Sequence, residues 1–78
     1  MRVLLVEDNA ELVSLLIKGL AQGSLAADSV GTVGDARLAL GAMQYAAVVL
    51  DLGLPDEDGL VLLREMRRRG DATPVLVL

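Results

Sequence analysis

Short, unbroken apolar runs alternate along this chain with stretches of helical periodicity, and polar or glycine-bearing turns separate them. Val3 to Val6 is the first run. A strand with no polar alternation is one buried on both faces, as in a parallel sheet. Asn9 stands where a helix cap would, with Glu11 in the first turn. Leu12, Leu15, Leu16, Ile17 and Leu20 then recur at helical spacing, up to a stop at Gly23. Leu25 to Val30 reads as a weaker strand, broken by Gly31. Asp35 to Met43 predicts a short helix with Ala36, Ala39, Leu40 and Met43 on one face. Ala46 to Leu50 is a second clear buried strand, and Asp51 to Glu57 is a loop punctuated by Gly53 and Pro55. Asp58 caps a helix running to about Arg69, with Leu60, Leu62, Leu63 and Met66 inward. Arg64, Arg67, Arg68 and Arg69 lie toward its C-terminal end, where positive charge suits the helix dipole. Gly70 ends it, and Pro74 leads into a last apolar run, Val75 to Leu78.

The order βαβαβαβ predicts an α/β fold, with right-handed crossovers and a parallel sheet covered by helices on both faces. Its 78 residues make one domain of marginal size. Hydrophobic residues are 54% of the chain, and Tyr45 is the sole aromatic, so the core is aliphatic. The last run reaches Leu78 with no turn or polar tail. Either the chain is the front of something longer or another surface covers that strand.

Composition narrows the chemistry. A net charge of −4 argues against direct contact with nucleic acid. The absence of cysteine excludes disulfides and Cys-based zinc sites, and the absence of histidine excludes Ser-His and Cys-His catalysis. Carboxylates, Arg, Lys and a few hydroxyls remain. Glu7-Asp8 follows only four apolar residues, too few for a signal peptide, and no run approaches membrane-spanning length. The expectation is a soluble, cytoplasmic protein without a membrane partner.

Three acids follow directly on buried strands: Glu7 and Asp8 on the first, Asp51 on the third. In a parallel α/β sheet the strand C-termini share one edge, and ligands bind there where strand order reverses. If strands one and three are neighbours, the three carboxylates converge. Such groups repel one another until a cation relieves them, and oxygen ligands without His or Cys suit Mg²⁺. A carboxylate is also a nucleophile that can form an acyl phosphate, in a transfer that needs mainly positioning and charge neutralisation. Taken alone, Glu7-Asp8 reads first as a solvated loop or as acids beside a helix N-terminus, and an acid after a strand is common. Only together do the three favour a metal and phosphate site.

With these residues in view, the chain resembles the receiver domains of bacterial response regulators. Val3-Leu4-Leu5-Val6-Glu7-Asp8-Asn9 is similar to their opening. The block from Val48 through Asp51, Gly53 and Pro55 to Gly59 is similar to their phosphoacceptor strand and loop, and Gly70 to Leu78 to their fourth strand. The resemblance implies a flavodoxin-like sheet in the order 2-1-3-4. It implies that Asp51 is the phosphorylated aspartate, Asp8 a direct Mg²⁺ ligand, Glu7 an acid acting through water, and the Gly53 carbonyl a further ligand. Pro55 and Gly59 would shape the loop and the next helix start. It also implies a sensor histidine kinase as phosphoryl donor and, by overall style, a winged-helix DNA-binding output domain. Residues 1–78 would then be a truncated receiver, without helix 4, strand 5 and helix 5. The Ser or Thr after strand four and the Lys after strand five would be missing with them. Ala46 stands where the family usually has an acid.

The other features have plainer readings. The arginines form a solvated helix end, Met43 and Met66 are core, and Thr73 lies at the wrong end of its strand to replace the missing hydroxyl. The expectation is a phosphoacceptor, not an enzyme. A Mg²⁺-dependent phosphatase with an Asp nucleophile would need a second acid where Gly53 stands. An interaction or dimerisation module that works without phosphorylation is the main alternative. Val75 to Leu78, as a bare apolar edge, would drive self-association by edge pairing or domain swapping.

Overall fold

Val3, Leu4, Leu5 and Val6 all lose nearly all contact with solvent, so the first apolar run is the centre of a sheet and not its rim. The computed structural model describes residues 1–78. The elements are β1 (Arg2–Val6), α1 (Ala10–Gln22), β2 (Ala26–Val30), α2 (Val33–Ala42), β3 (Ala47–Leu50), α3 (Gly59–Arg68) and β4 (Val75–Val77). The four strands form one parallel sheet in the order β2-β1-β3-β4. The flavodoxin-like βαβαβαβ expectation therefore holds, strand order included.

From β1 to β2 the chain steps one way across the sheet; from β2 to β3 and on to β4 it steps the other way. With a constant right-handed crossover, α1 must cover one face while α2 and α3 share the other. Alternate β1 side chains follow suit. Leu4 and Val6 join Val48 and Leu50 from β3, Val33 and Ala36 from α2, and Leu62 and Met66 from α3 in one buried cluster.

Capping explains the helix starts. The Asn9 Oδ1 accepts from the Glu11 and Leu12 N–H groups, and the Asp58 carboxylate accepts from the Leu60 N–H, as the sequence predicts. α2 begins two residues earlier than predicted. Thr32 is its cap, its hydroxyl oxygen accepting from the Asp35 N–H, and the Thr-x-x-Asp spacing was the signal for it. Gly70 ends α3 in the left-handed region, at φ +79°. At the end of α1 that conformation falls on Ser24, φ +62°, and not on Gly23.

Burial departs from the helical patterns in two places. No residue of α1 is fully buried; Leu12, Leu16 and Leu20 are half-buried, while Leu15 and Ile17 are exposed. Met43, expected in the core, lies just past α2 and is exposed, whereas Met66 is buried as expected. No helix is long and apolar enough to cross a membrane.

Candidate functional site

The strand ladder brings the acids together. Val6 of β1 is in register with Leu50 of β3, so the residues that follow each strand leave the sheet side by side. The Asp51 N–H donates to the Val6 carbonyl, and the Glu7 N–H donates across to the Val30 carbonyl of β2. Those two bonds set Glu7 between its neighbours and Asp51 beside it. Glu7, Asp8 and Asp51 each offer a carboxylate oxygen, and these oxygens all lie within 4.8 Å of one another. Glu7 is the one buried charged side chain, Asp51 is half-buried and Asp8 is exposed. The Asn9 N–H donates to Glu7 Oε1 at 3.0 Å, which holds that carboxylate inward. Three carboxylates this close repel one another, and a hard divalent cation is the partner that oxygen donors without His or Cys select. The donor set thus fits Mg²⁺.

Gly53, the fourth residue expected at the site, is also there. Its N–H donates to Asp51 Oδ1 at 3.2 Å, and it forms an isolated bridge with Asp58 across the β3–α3 loop. Gly59 closes the loop at its base, its N–H donating to the Leu52 carbonyl at 3.2 Å. Glu7 and Asp8, far in sequence from Asp51 and Gly53, therefore share one edge of the sheet with them.

The remaining singled-out residues lie elsewhere. The Thr73 hydroxyl donates to Asp71 Oδ1 just before β4, at the opposite end of the strands from the acids. Arg67 donates to the Asp71 and Thr73 carbonyls and so fastens the turn after α3; Arg64, Arg68 and Arg69 are exposed.

The sequence reading missed how the loop is held. Asp56 reaches 23 and 22 residues back, its Oδ1 accepting from the Val33 N–H at 2.9 Å and its Oδ2 from the Gly34 N–H at 3.0 Å. These bonds hold the Asp56 carboxyl below the usual carboxylate range. Next to it, Glu57 takes both terminal nitrogens of Arg37, which also grips Glu65 on α3. That pairing, with Glu65 first and Glu57 second, raises the already high Arg37 pKa. No local pattern announces contacts over such separations.

The family model described as response regulator receiver domain matches residues 3–78. Transcriptional regulatory protein PmrA of Pectobacterium parmentieri is 42% identical over 78 residues, and BasR of Escherichia coli (strain K12) is 46% identical over 78 residues. Each alignment takes in 100% of this chain and 35% of the relative, so the chain spans about a third of the curated relatives' length. Among solved structures, the MaeR response regulator bound to beryllium trifluoride superposes with a TM-score of 0.94 at 26% identity. That match covers 100% of this chain and 66% of MaeR.

Proposed function

The chain belongs to the response regulator receiver family, and from that premise we propose that Asp51 is its phosphoryl acceptor, working with Mg²⁺ held by Glu7, Asp8, Asp51 and the Gly53 carbonyl. The convergence of the three carboxylates within 4.8 Å carries the reading. Residues 1–78 are read as the first part of a receiver domain, since they span 66% of MaeR. In the longer protein a sensor histidine kinase donates the phosphoryl group, the setting is the cytoplasm, and the output is transcriptional, as the names of PmrA and BasR suggest.

The Gly53 N–H steadies Asp51 Oδ1, which leaves Oδ2 the freer oxygen to attack. Its lone pair forms the new O–P bond while the P–N bond to the kinase histidine breaks. The bonding pair leaves with the imidazole nitrogen, and an aspartyl phosphate remains. Mg²⁺, when bound, neutralises charge on the phosphoryl oxygens. Asp8 and Glu7 would hold it beside Asp51. The chain is consumed as an acceptor in this step and is not an enzyme with turnover.

Incubation with acetyl phosphate and Mg²⁺, followed by mass spectrometry, tests this. One alkali-labile phosphoryl group is expected, absent without Mg²⁺ and absent in Asp51→Asn. Labelling that survives Asp51→Asn unchanged refutes the assignment.

A second reading, an interaction module that works without phosphorylation, draws on β4. Leu76, Val77 and Leu78 are 62%, 39% and 52% exposed. For the 78-residue chain taken by itself we propose self-association through this edge.

A further inference from the structure

The β3–α3 loop is closed at its base but not at its tip. Gly59 N–H to Leu52 carbonyl and the Gly53–Asp58 bridge hold the base. The tip carries Pro55 and Asp56, both exposed. Apart from Asp58, whose carboxylate caps α3, Asp56 and Glu57 are its only residues whose side chains hydrogen-bond another element, and both bond α2.

The α2 side of this contact is also specific. The first three N–H groups of a helix have no partner within it. Here Val33 and Gly34 give theirs to Asp56, and Asp35 gives its own to Thr32 Oγ1. Asp56 is thus a second cap for α2, supplied by a loop that also carries the site, and its negative charge sits at the positive end of the helix dipole. The turn leading into α2 in turn borders the site. A side-chain carbon at Gly31 would lie 3.9 Å from both Cα and Cβ of Asp8. One wall of the acidic site, at Asp8, and the other, at Asp51 and Gly53, are therefore joined through Asp56.

We propose that Asp56 is a positioning residue for the metal site: by fastening the loop tip to the N-terminus of α2, it sets where Gly53 stands relative to Asp8 and Asp51. The Glu57–Arg37 pair seconds it from the adjacent residue. The proposal rests on the Mg²⁺ reading above and extends it to a residue that touches neither metal nor phosphoryl group. Groups that hold metal ligands in place commonly affect affinity about tenfold or more when removed.

The test compares Asp56→Ala with Thr32→Ala. Both remove side-chain acceptors from the same helix N-terminus, but only Asp56 is part of the loop. Mg²⁺ is titrated into each 78-residue chain while amide chemical shifts are followed, and hydrogen exchange at Gly53 is measured without metal. Asp56→Ala is expected to weaken Mg²⁺ binding about tenfold and to speed exchange at Gly53, while Thr32→Ala leaves both near wild type. Equal effects from the two variants, or none from Asp56→Ala, overturn the proposal. If Asp56→Ala leaves too little folded protein, Glu57→Gln loosens the same tip without freeing helix N–H groups. It is expected to act in the same direction more weakly, and an unchanged Gly53 and Mg²⁺ affinity would count against the proposal. A wild-type chain that binds no Mg²⁺ would instead sink the metal reading, and the Gly53 exchange comparison would still decide whether Asp56 positions the loop.

Discussion

Gly59 has no side chain because there is no room for one. A Cβ there would stand 2.5 Å from the Asp51 carbonyl oxygen and 3.2 Å from the Leu52 Cα. Both are backbone atoms of the residues that form the site, so neither can swing aside. Overpacking of this kind costs about 1–3 kcal/mol. The higher helix propensity of alanine returns at most ~1 kcal/mol, and less at the first residue of α3. Gly59→Ala is therefore expected to lower stability by about 1–2 kcal/mol, read as a lower urea midpoint. An unchanged midpoint would show that the loop yields. The family resemblance already marked Gly59 as structural, but the reason is visible only in space. Ser24 is the opposite case. It takes a left-handed φ of +62° although Gly23, one residue earlier, has the composition for it. Where the chain must turn was decided by how α1 delivers it to β2, which a glycine count does not reveal.

At the level of elements, Asp28 joins three parts of the fold. It lies in β2 and accepts from Arg2 of β1, at 2.9 and 2.6 Å, and from the Tyr45 hydroxyl just before β3, at 2.8 Å. The Arg2 hydrogen bond, followed by that of Tyr45, holds the Asp28 carboxyl at about 2, well below its ordinary 3.8. A carboxyl whose folded pKa is depressed stabilises the fold above its unfolded pKa. That contribution is lost as pH falls from about 4 toward about 2. Asp28→Asn is expected to lower the urea midpoint at pH 7. The gap from wild type should close across that acid window, and a gap unchanged at its acid end would rule out the charged hydrogen bonds as its source. The sequence showed β2 as a weak strand, and none of its residues is fully buried. The tie to Tyr45 spans 17 residues and was not legible. The same holds for α2, where the Thr32–Asp35 spacing was local and readable while the Asp56 cap was not.

Across the whole molecule, the sheet has two free edges, β2 and β4. The exposed residues of β2 are Ala26 and Ser29, small or polar, with the charged Asp28 between them. Leu76, Val77 and Leu78 make the β4 edge far more apolar. Unpaired backbone beside apolar side chains is a template for strand addition, and charge is what blunts such edges. Each Val or Leu that becomes fully buried contributes ~1.5–3 kcal/mol before association costs. The 78-residue chain by itself is expected to sediment increasingly as a dimer with concentration, and the double variant Leu76→Lys, Leu78→Lys to shift it toward monomer or unfolded chain. A wild-type monomer at high micromolar concentration would contradict this. What the sequence alone determined was whatever has a local signature. Buried strands read as unbroken apolar runs, Asn9 and Asp58 read as caps, and acids sat where strands end. The order 2-1-3-4 came from the resemblance, and the sheet then brought Glu7, Asp8 and Asp51 within reach of one another. Tertiary structure alone decided which apolar residues are covered, leaving Leu15 of α1 and Met43 just past α2 exposed, because burial depends on where the neighbouring elements lie. It alone joined Asp56 to α2, because a hydrogen bond across more than twenty residues is made by the fold and leaves no periodicity behind.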